Sequence, residues 1–314
     1  MSAPDPLVAA LTDAVEGEVR AGAPLSERTT LKVGGPARAL VRAESIADLQ
    51  AIAGVCRDHD AAWLVLGRGS NLLIADAGWD GVVITLGKGL RGVEVQPGDD
   101  PADRRVTLGG AEPMPVLANA LEREGLGGMA FAVAIPGAVG GAVRMNAGAH
   151  GGEMADVLVA VDVVRLTTGA VERIAAADLH MAYRRTDLPP DAVVTAAEVS
   201  LSEADADVLA ADMAEMRQWR RDHQPINSPS CGSVFTNPPG DSAGRLIDTA
   251  DLKGHRVGGA RISAVHANFI TVEPGARAAD VHAVIRHAQQ EVERIHGVVL
   301  HPEVVIVGDF GEGA

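Results

Sequence analysis

The chain has 314 residues, enough for two or three domains, and its 47% apolar content supplies sizeable cores with few aromatics. A formal charge of −15 excludes the broad basic surfaces that nucleic acids and anionic membranes require, while leaving room for local cationic pockets. Two cysteines, Cys56 and Cys231, make neither a disulfide framework nor a metal set.

The segment Met1-Ser2-Ala3-Pro4-Asp5 lacks a basic stretch leading into an apolar one, so no signal peptide is expected. No apolar run approaches membrane-spanning length, and the expectation is a soluble cytoplasmic protein. Asp5-Pro6 reads as a helix cap followed by Pro at the first helical position, with Leu7, Val8, Leu11, Val15 and Val19 at helical spacing. Residues 28–36 end in Gly-Gly-Pro and read as a loop, with a strand at Ala39 to Val41. Ser45 with Asp48 resembles a capping box before a helix whose face is Ile46, Leu49, Ile52, Ala53 and Cys56. Cys56 is expected to be a small core residue. Trp63 to Leu66 reads as a buried strand that runs into Gly67-Arg68-Gly69-Ser70-Asn71. That turn starts like a dinucleotide fingerprint, but Leu72 holds the place of the third glycine, and an anion turn fits as well. Strands are expected at Val82 to Leu86, Val93 to Val95 and Val106 to Leu108, with a polar loop from Pro97 to Arg105. A helix is expected from about Pro113 to Glu124.

Residues 134–152 hold many glycines among Ala, Val, Ile and Met. Flexible linkers lack such apolar content. Two readings are open: backbone wrapped around an anion such as a phosphate, or a tight helix–strand packing corner. Beyond it, Val157 to Leu166 and Val171 to Ile174 flank the turn Thr168-Gly169, and Val193 to Leu201 is a further strand. Ala206 to Arg221 reads as a helix with Leu209, Met213, Met216 and Arg220 in one stripe, ended by Pro225. Residues 224–239 read as an ordered loop, followed by a short helix near Gly244 to Thr249 and a strand from Phe269 to Val272. Val281, Val284, Ile285, Ala288, Val292 and Ile295 form the clearest amphipathic helix, and Val298 to Val307 reads as one closing strand. The ten histidines show no metal-ligand spacing, so no metal is expected.

Six motifs stand in a fixed order: Gly67-Arg68-Gly69-Ser70-Asn71, Ile135-Pro136-Gly137-Ala138-Val139-Gly140-Gly141, Asn146-Ala147-Gly148-Ala149, Tyr183-Arg184, Gly232-Ser233-Val234-Phe235-Thr236-Asn237-Pro238, and Pro302-Glu303. In this ordered set the chain resembles the UDP-N-acetylenolpyruvylglucosamine reductases (UDP-N-acetylmuramate dehydrogenases), in their shorter subtype. The resemblance implies an α+β protein: a flavin-binding fold of two α+β subdomains with FAD between them, plus a C-terminal α/β substrate-binding domain. The boundaries expected are 1–86 and 87–212 for the FAD-binding subdomains, 213–302 for the substrate domain and 303–314 for a tail, with the closing strand returning near the first subdomain. It also implies non-covalent FAD, NADPH as hydride donor, and UDP-N-acetylglucosamine enolpyruvate as a small-molecule substrate, without nucleic acid, membrane insertion or an obligate protein partner.

By the same resemblance Gly67, Arg68, Gly69, Ser70 and Asn71, together with Ile135, Pro136, Gly137, Gly140, Gly141, Asn146, Gly148 and Ala149, are expected to bind the cofactor. Arg184 is expected to stabilise charge on the substrate carboxylate, with Arg185 as its adjacent rival. Ser233 is expected to protonate C2, with the Cys231 thiol as a rival donor, and Glu303 to act at the substrate carboxylate. Tyr183, Arg221, Asn237 and Lys253 are expected to contact substrate. Two other functions remain as alternatives: a sugar-nucleotide-binding or transferase domain without redox chemistry, and a flavin oxidase of the wider superfamily.

Overall fold

The computed structural model describes residues 5–98 and 100–311. Residues 1–4, read above for a leader, Asp99 in the polar loop, and residues 312–314 of the expected tail lie outside the described residues. The described residues fold as two compact units: those within 5–21, 39–67 and 81–218 form one, and those within 22–38, 68–80 and 219–311 the other. The two short N-terminal stretches grouped with the C-terminal residues have no counterpart in the linear division read from sequence.

In the first unit the helix Pro6–Ala14 is capped by the Asp5 carboxylate, which accepts from the Leu7 N–H. The apolar spacing that continued to Val19 does not extend the helix. The Glu16 N–H bonds instead to Asp48 Oδ1, and Val19–Pro24 is a strand. Ser45 caps the helix Ile46–Asp58 by accepting from the Asp48 N–H. The expected reciprocal arm of that box is absent, because buried Asp48 accepts from Glu44 and Glu16. Leu49, Ile52, Ala53 and Cys56 are buried as the stripe predicts, and burial pushes the Cys56 thiol up to about 11. These helices cover a four-stranded sheet of order Val19–Pro24, Pro36–Ala43, Trp79–Leu86, Trp63–Val65, in which the last two are parallel.

A second sheet in this unit is antiparallel, in the order Val171–Ala175, Leu158–Arg165, Ala192–Glu203, Arg104–Gly109, Val93–Val95. Its first two strands turn at Thr168 and Gly169, where the Gly169 N–H bonds to the Arg165 carbonyl. The helix Met114–Arg123 buries Met114, Leu117, Ala118 and Leu121 in the core under this sheet. The glycine-rich run contributes a helix, Val139–Arg144, whose Val139, Ala142 and Val143 join the same core. The helix Ala206–His223 buries only Leu209 and Met213.

In the second unit, strands Ser230–Ser233, Phe269–Val272, Ala260–Ile262 and Arg256–Val257 form an antiparallel sheet in that order. The first and last two strands lay in stretches that sequence patterning left without strands, because each is too short to show a period of two. Helix Ala278–His296 buries Val281, Val284, Ile285, Ala288 and Val292 against this sheet, while Ile295 is exposed. The expected closing strand is two pairings. Pro302 bridges Phe235 and the Glu303 N–H reaches the Val234 carbonyl, and only Val305–Val307 is a strand, parallel to Leu72–Ile74. Among the described residues no helix is long and apolar enough to cross a membrane.

Candidate active site

In the first unit the glycine-rich run and the Tyr183-Arg184 pair come together. Ala182 and Arg185 exchange both backbone hydrogen bonds, 2.9 and 3.0 Å, so Tyr183 and Arg184 form the tip of a two-residue turn. Arg184 stands there at φ 56, and its guanidinium lies 5.1 Å from the Tyr183 ring centroid. One Arg184 nitrogen donates to the Gly148 carbonyl at 2.9 Å, and the other reaches the Asn146 carbonyl at 3.5 Å. Two backbone carbonyls of the expected cofactor loop thereby aim the guanidinium. Arg185, the adjacent rival, is exposed and pairs with Asp187 at 3.0 Å.

Asn146 differs from its expected role. It has no exposed surface, its Nδ2 donates to the Ala182 carbonyl at 3.0 Å, and its Oδ1 accepts from the Ala155 N–H at 2.9 Å. A ligand has no surface of Asn146 to touch.

The glycines divide into two kinds. A Cβ on Gly140 would sit 3.3 Å from the Gly110 carbonyl oxygen and 3.4 Å from that of Val194, so this glycine serves close helix-to-sheet packing. Gly141 is exposed, and a Cβ there would meet nothing within 4 Å. Among the described residues none accepts from the Gly141 N–H. An open backbone donor beside an uncluttered glycine fits the approach of a phosphate oxygen. Gly67 is likewise exposed and open, whereas Ile135 and Gly137 are half-buried and Pro136 is exposed. The Gly137 carbonyl accepts from the Met114 N–H at 3.1 Å, which fixes the loop to the first turn of helix Met114–Arg123. Ala149 pairs with Gly152 in a short hairpin beside Gly148.

In the second unit the stretch Arg68 to Asn71 wraps the loop at residues 28–30. Gly69 is buried at φ 62, and a Cβ on it would lie 2.2 Å from the Arg28 carbonyl oxygen. Its own carbonyl accepts from both the N–H and the hydroxyl of Thr30. This glycine is required by chain packing. Among the described residues none accepts from the N–H groups of Gly69, Ser70 and Asn71, so three successive donors remain available to an anion. The residues present in both loops fit a diphosphate-bearing cofactor on these grounds. The Asn71 amide is used within the chain, donating to the Glu303 carbonyl at 3.1 Å.

Ser233 ends the strand Ser230–Ser233, opposite Phe269. Gly232, at φ 77, carries the register shift between Ser230 and Ser233, a bulge that re-aims the following side chain. Ser233 is half-buried. The next two residues are held from both sides. The Val234 N–H donates to the Asn268 carbonyl at 2.8 Å, and the Val234 carbonyl accepts from Glu303 at 2.7 Å. The buried Asn268 amide also exchanges both of its hydrogen bonds with the backbone of Phe235, at 2.9 and 2.8 Å. Sequence reading did not single out Asn268; no periodic or motif signal marks a side chain that substitutes for a neighbouring strand.

Cys231 is buried, and burial first and the Glu303 charge second push its thiol up to about 12. As a proton donor it is far weaker than an ordinary thiol, which narrows the chemical advantage it had over Ser233. Asn237 is exposed, and its Oδ1 accepts from the Ala243 N–H at 3.0 Å at the start of helix Ala243–Thr249. Lys253 Nζ pairs with Asp248 at 2.8 Å, and Arg221 is exposed on the last turn of helix Ala206–His223. Among the described residues no group of three or more His, Cys, Asp or Glu is placed to hold a metal ion.

A family model described as UDP-N-acetylenolpyruvoylglucosamine reductase, C-terminal domain, matches residues 224–307, and one described as FAD binding domain matches residues 37–175. The UDP-N-acetylenolpyruvoylglucosamine reductase of Bacillus subtilis (strain 168) is 40% identical over 294 residues, which cover 93% of this chain and 95% of that protein. The protein of the same name from Anaeromyxobacter sp. (strain Fw109-5) is 44% identical over 296 residues, covering 94% and 91%. The crystal structure of UDP-N-acetylenolpyruvylglucosamine reductase from Thermus caldophilus aligns with a TM-score of 0.79 at 37% identity, covering 93% of this chain and 99% of that one.

Proposed function

The chain belongs to the UDP-N-acetylenolpyruvoylglucosamine reductase family, and from that premise we propose how its own residues divide the work. It is an FAD-dependent oxidoreductase that reduces the enolpyruvyl ether of UDP-N-acetylglucosamine to UDP-N-acetylmuramate in peptidoglycan precursor synthesis. When bound, FAD supplies the hydride chemistry, with NADPH as the hydride source. The residues assigned to the cofactor are Gly67, Ile135, Pro136, Gly137, Gly141, Gly148 and Ala149 of the first unit and Arg68, Gly69, Ser70 and Asn71 of the second, whose open glycines and backbone donors suit phosphate oxygens. The enzyme works in the cytoplasm on this reading.

Hydride addition at C3 of the enolpyruvyl group sends an electron pair toward the substrate carboxylate. Arg184 meets that developing charge with a planar fork already oriented before substrate arrives. Ser233 gives the proton that completes C2, and the lactyl ether results. A serine is a weak acid, so this step needs the rigid placement that the Gly232 bulge and the Asn268 and Glu303 contacts impose on its segment. Glu303 acts beside the substrate carboxylate, and Tyr183, Arg221, Asn237 and Lys253 contact the nucleotide sugar. The observation that carries the reading is the docking of Arg184 on the Gly148 and Asn146 carbonyls, because it makes the charge-stabilising cation and the cofactor loop one rigid piece. The test is anaerobic: purified yellow protein is bleached with NADPH, then mixed with enolpyruvyl-UDP-N-acetylglucosamine. Return of the oxidised flavin spectrum with formation of UDP-N-acetylmuramate is expected. Failure to bleach, or bleaching without reoxidation by this substrate, refutes the assignment.

A further inference from the structure

We propose that Asn146 is a positioning residue for Arg184, acting through the turn that presents the guanidinium and not through the cofactor. The inference rests on the role given to Arg184 above. Asn146 stands at φ 40, a left-handed conformation that asparagine tolerates better than other side-chain-bearing residues, so the backbone is shaped to place this amide. The amide is wholly buried and has two partners in different segments. Its Nδ2 holds the Ala182 carbonyl, the same oxygen that accepts from Arg185 to close the turn. Its Oδ1 holds the Ala155 N–H and so fixes Asn146 itself to the far side of the Gly148–Glu153 hairpin. The Asn146 and Gly148 carbonyls take the guanidinium. Asn146 thus grips the base of the turn with its side chain and the head of the arginine with its backbone. Arg184 itself stands at the tip in the left-handed conformation, over the ring of the 51% exposed Tyr183.

Two variants separate the backbone from the amide. Asn146→Gly keeps the left-handed conformation and removes the amide. Asn146→Asp keeps an acceptor for Ala155 and loses the donor to Ala182. Both are expected to hold FAD at full occupancy and to be reduced by NADPH at the native rate. Reoxidation by the enolpyruvyl substrate should slow by about 10²-fold, the scale of an ångström-sized misplacement. Adding Arg184→Ala to either variant should cost nothing beyond Arg184→Ala alone, since both act on one interaction. Independently of turnover, hydrogen exchange at the Ala182 and Arg185 amides should quicken by at least ~10-fold as a buried hydrogen bond is lost. Native reoxidation in both variants, additive slowing with Arg184→Ala, or unchanged exchange in the turn overturns the proposal. Loss of FAD from both variants overturns it too, and returns Asn146 to the cofactor. Native reoxidation in Arg184→Ala itself would instead remove the role of Arg184, so the two failures are distinct.

Discussion

Replacing Gly69 and Gly141 by alanine, one at a time, separates chain packing from ligand approach in the two glycine loops. In Gly69→Ala the new Cβ lies 2.2 Å from the Arg28 carbonyl oxygen and 2.8 Å from the Thr29 Cα, at φ 62. The left-handed conformation costs an L side chain roughly 1–2 kcal/mol, and forcing an atom into a packed site costs about 1–3 kcal/mol more. Neither neighbour is the end of a flexible side chain, so backbone must move, and the two Thr30 bonds to the Gly69 carbonyl move with it. At roughly 2–4 °C per kcal/mol, the first thermal transition of the cofactor-stripped protein should fall by about 4–20 °C. Gly141→Ala is the opposite case. It is helical and exposed, and its Cβ enters empty space, so the stripped protein should be unchanged or more stable by about 0.5–1 kcal/mol. On the function proposed above, the methyl group meets the cofactor instead. Loss of one charge-assisted hydrogen bond, about 1.5–3 kcal/mol, weakens FAD by roughly 10- to 100-fold. Calorimetry on stripped protein and a flavin-fluorescence titration read the two quantities separately. Native FAD affinity in Gly141→Ala refutes the cradle at that glycine, and a native transition in Gly69→Ala refutes the collision.

Ser233→Ala should leave reduction by NADPH intact and slow reoxidation by the enolpyruvyl substrate by about 10²–10⁴-fold. Stopped-flow measurement of the two halves checks this, and because the Cys231 thiol stands at about 12, adding Cys231→Ala should change nothing further; a further drop would assign the donor to Cys231. Arg184→Lys keeps the charge and loses the fork, so kcat should fall by more than KM rises, whereas normal turnover with raised KM would make Arg184 a binding residue only. Asp241 is held down to about 2 by Arg245 and the Ser242 N–H, so its ionised form favours the folded chain. That contribution is present above the unfolded carboxylate value near ~4 and lost as pH falls through about 2. Asp241→Asn should flatten the acid-side stability curve in that window, and an unchanged slope in denaturant titrations over the same range would be contrary to the argument.

Local elements were readable because their signals lie within a few residues. Asp5-Pro6 announces a helix start, Ser45 a cap, Thr168-Gly169 a hairpin turn, and the stripe from Val281 to Val292 a buried helix face. Each follows from fixed backbone periods and from caps that act over one turn. The order of six motifs likewise identified the family, and with it the flavin chemistry. The resemblance implied a closing strand that returns near the first subdomain, but residue-level pairing across the chain was not legible. Leu72–Ile74 finds Val305–Val307, and Asn71 finds Glu303 at a separation of 232 residues, yet short apolar segments of this kind are interchangeable as strings. Their partners are fixed only when the surrounding cores form. For the same reason residues 22–38 and 68–80 fold with the C-terminal unit, although nothing in their composition sets them apart from their neighbours. The glycines show the distinction most directly. The sequence states that a Cβ is absent at 69, 140 and 141, but whether the space belongs to a carbonyl, a sheet or a ligand is a property of what the fold brings within 4 Å. Asn146 follows the same rule: its motif places it among cofactor residues, while its burial and its two amide partners, set by the packing of three distant segments, give it to Arg184.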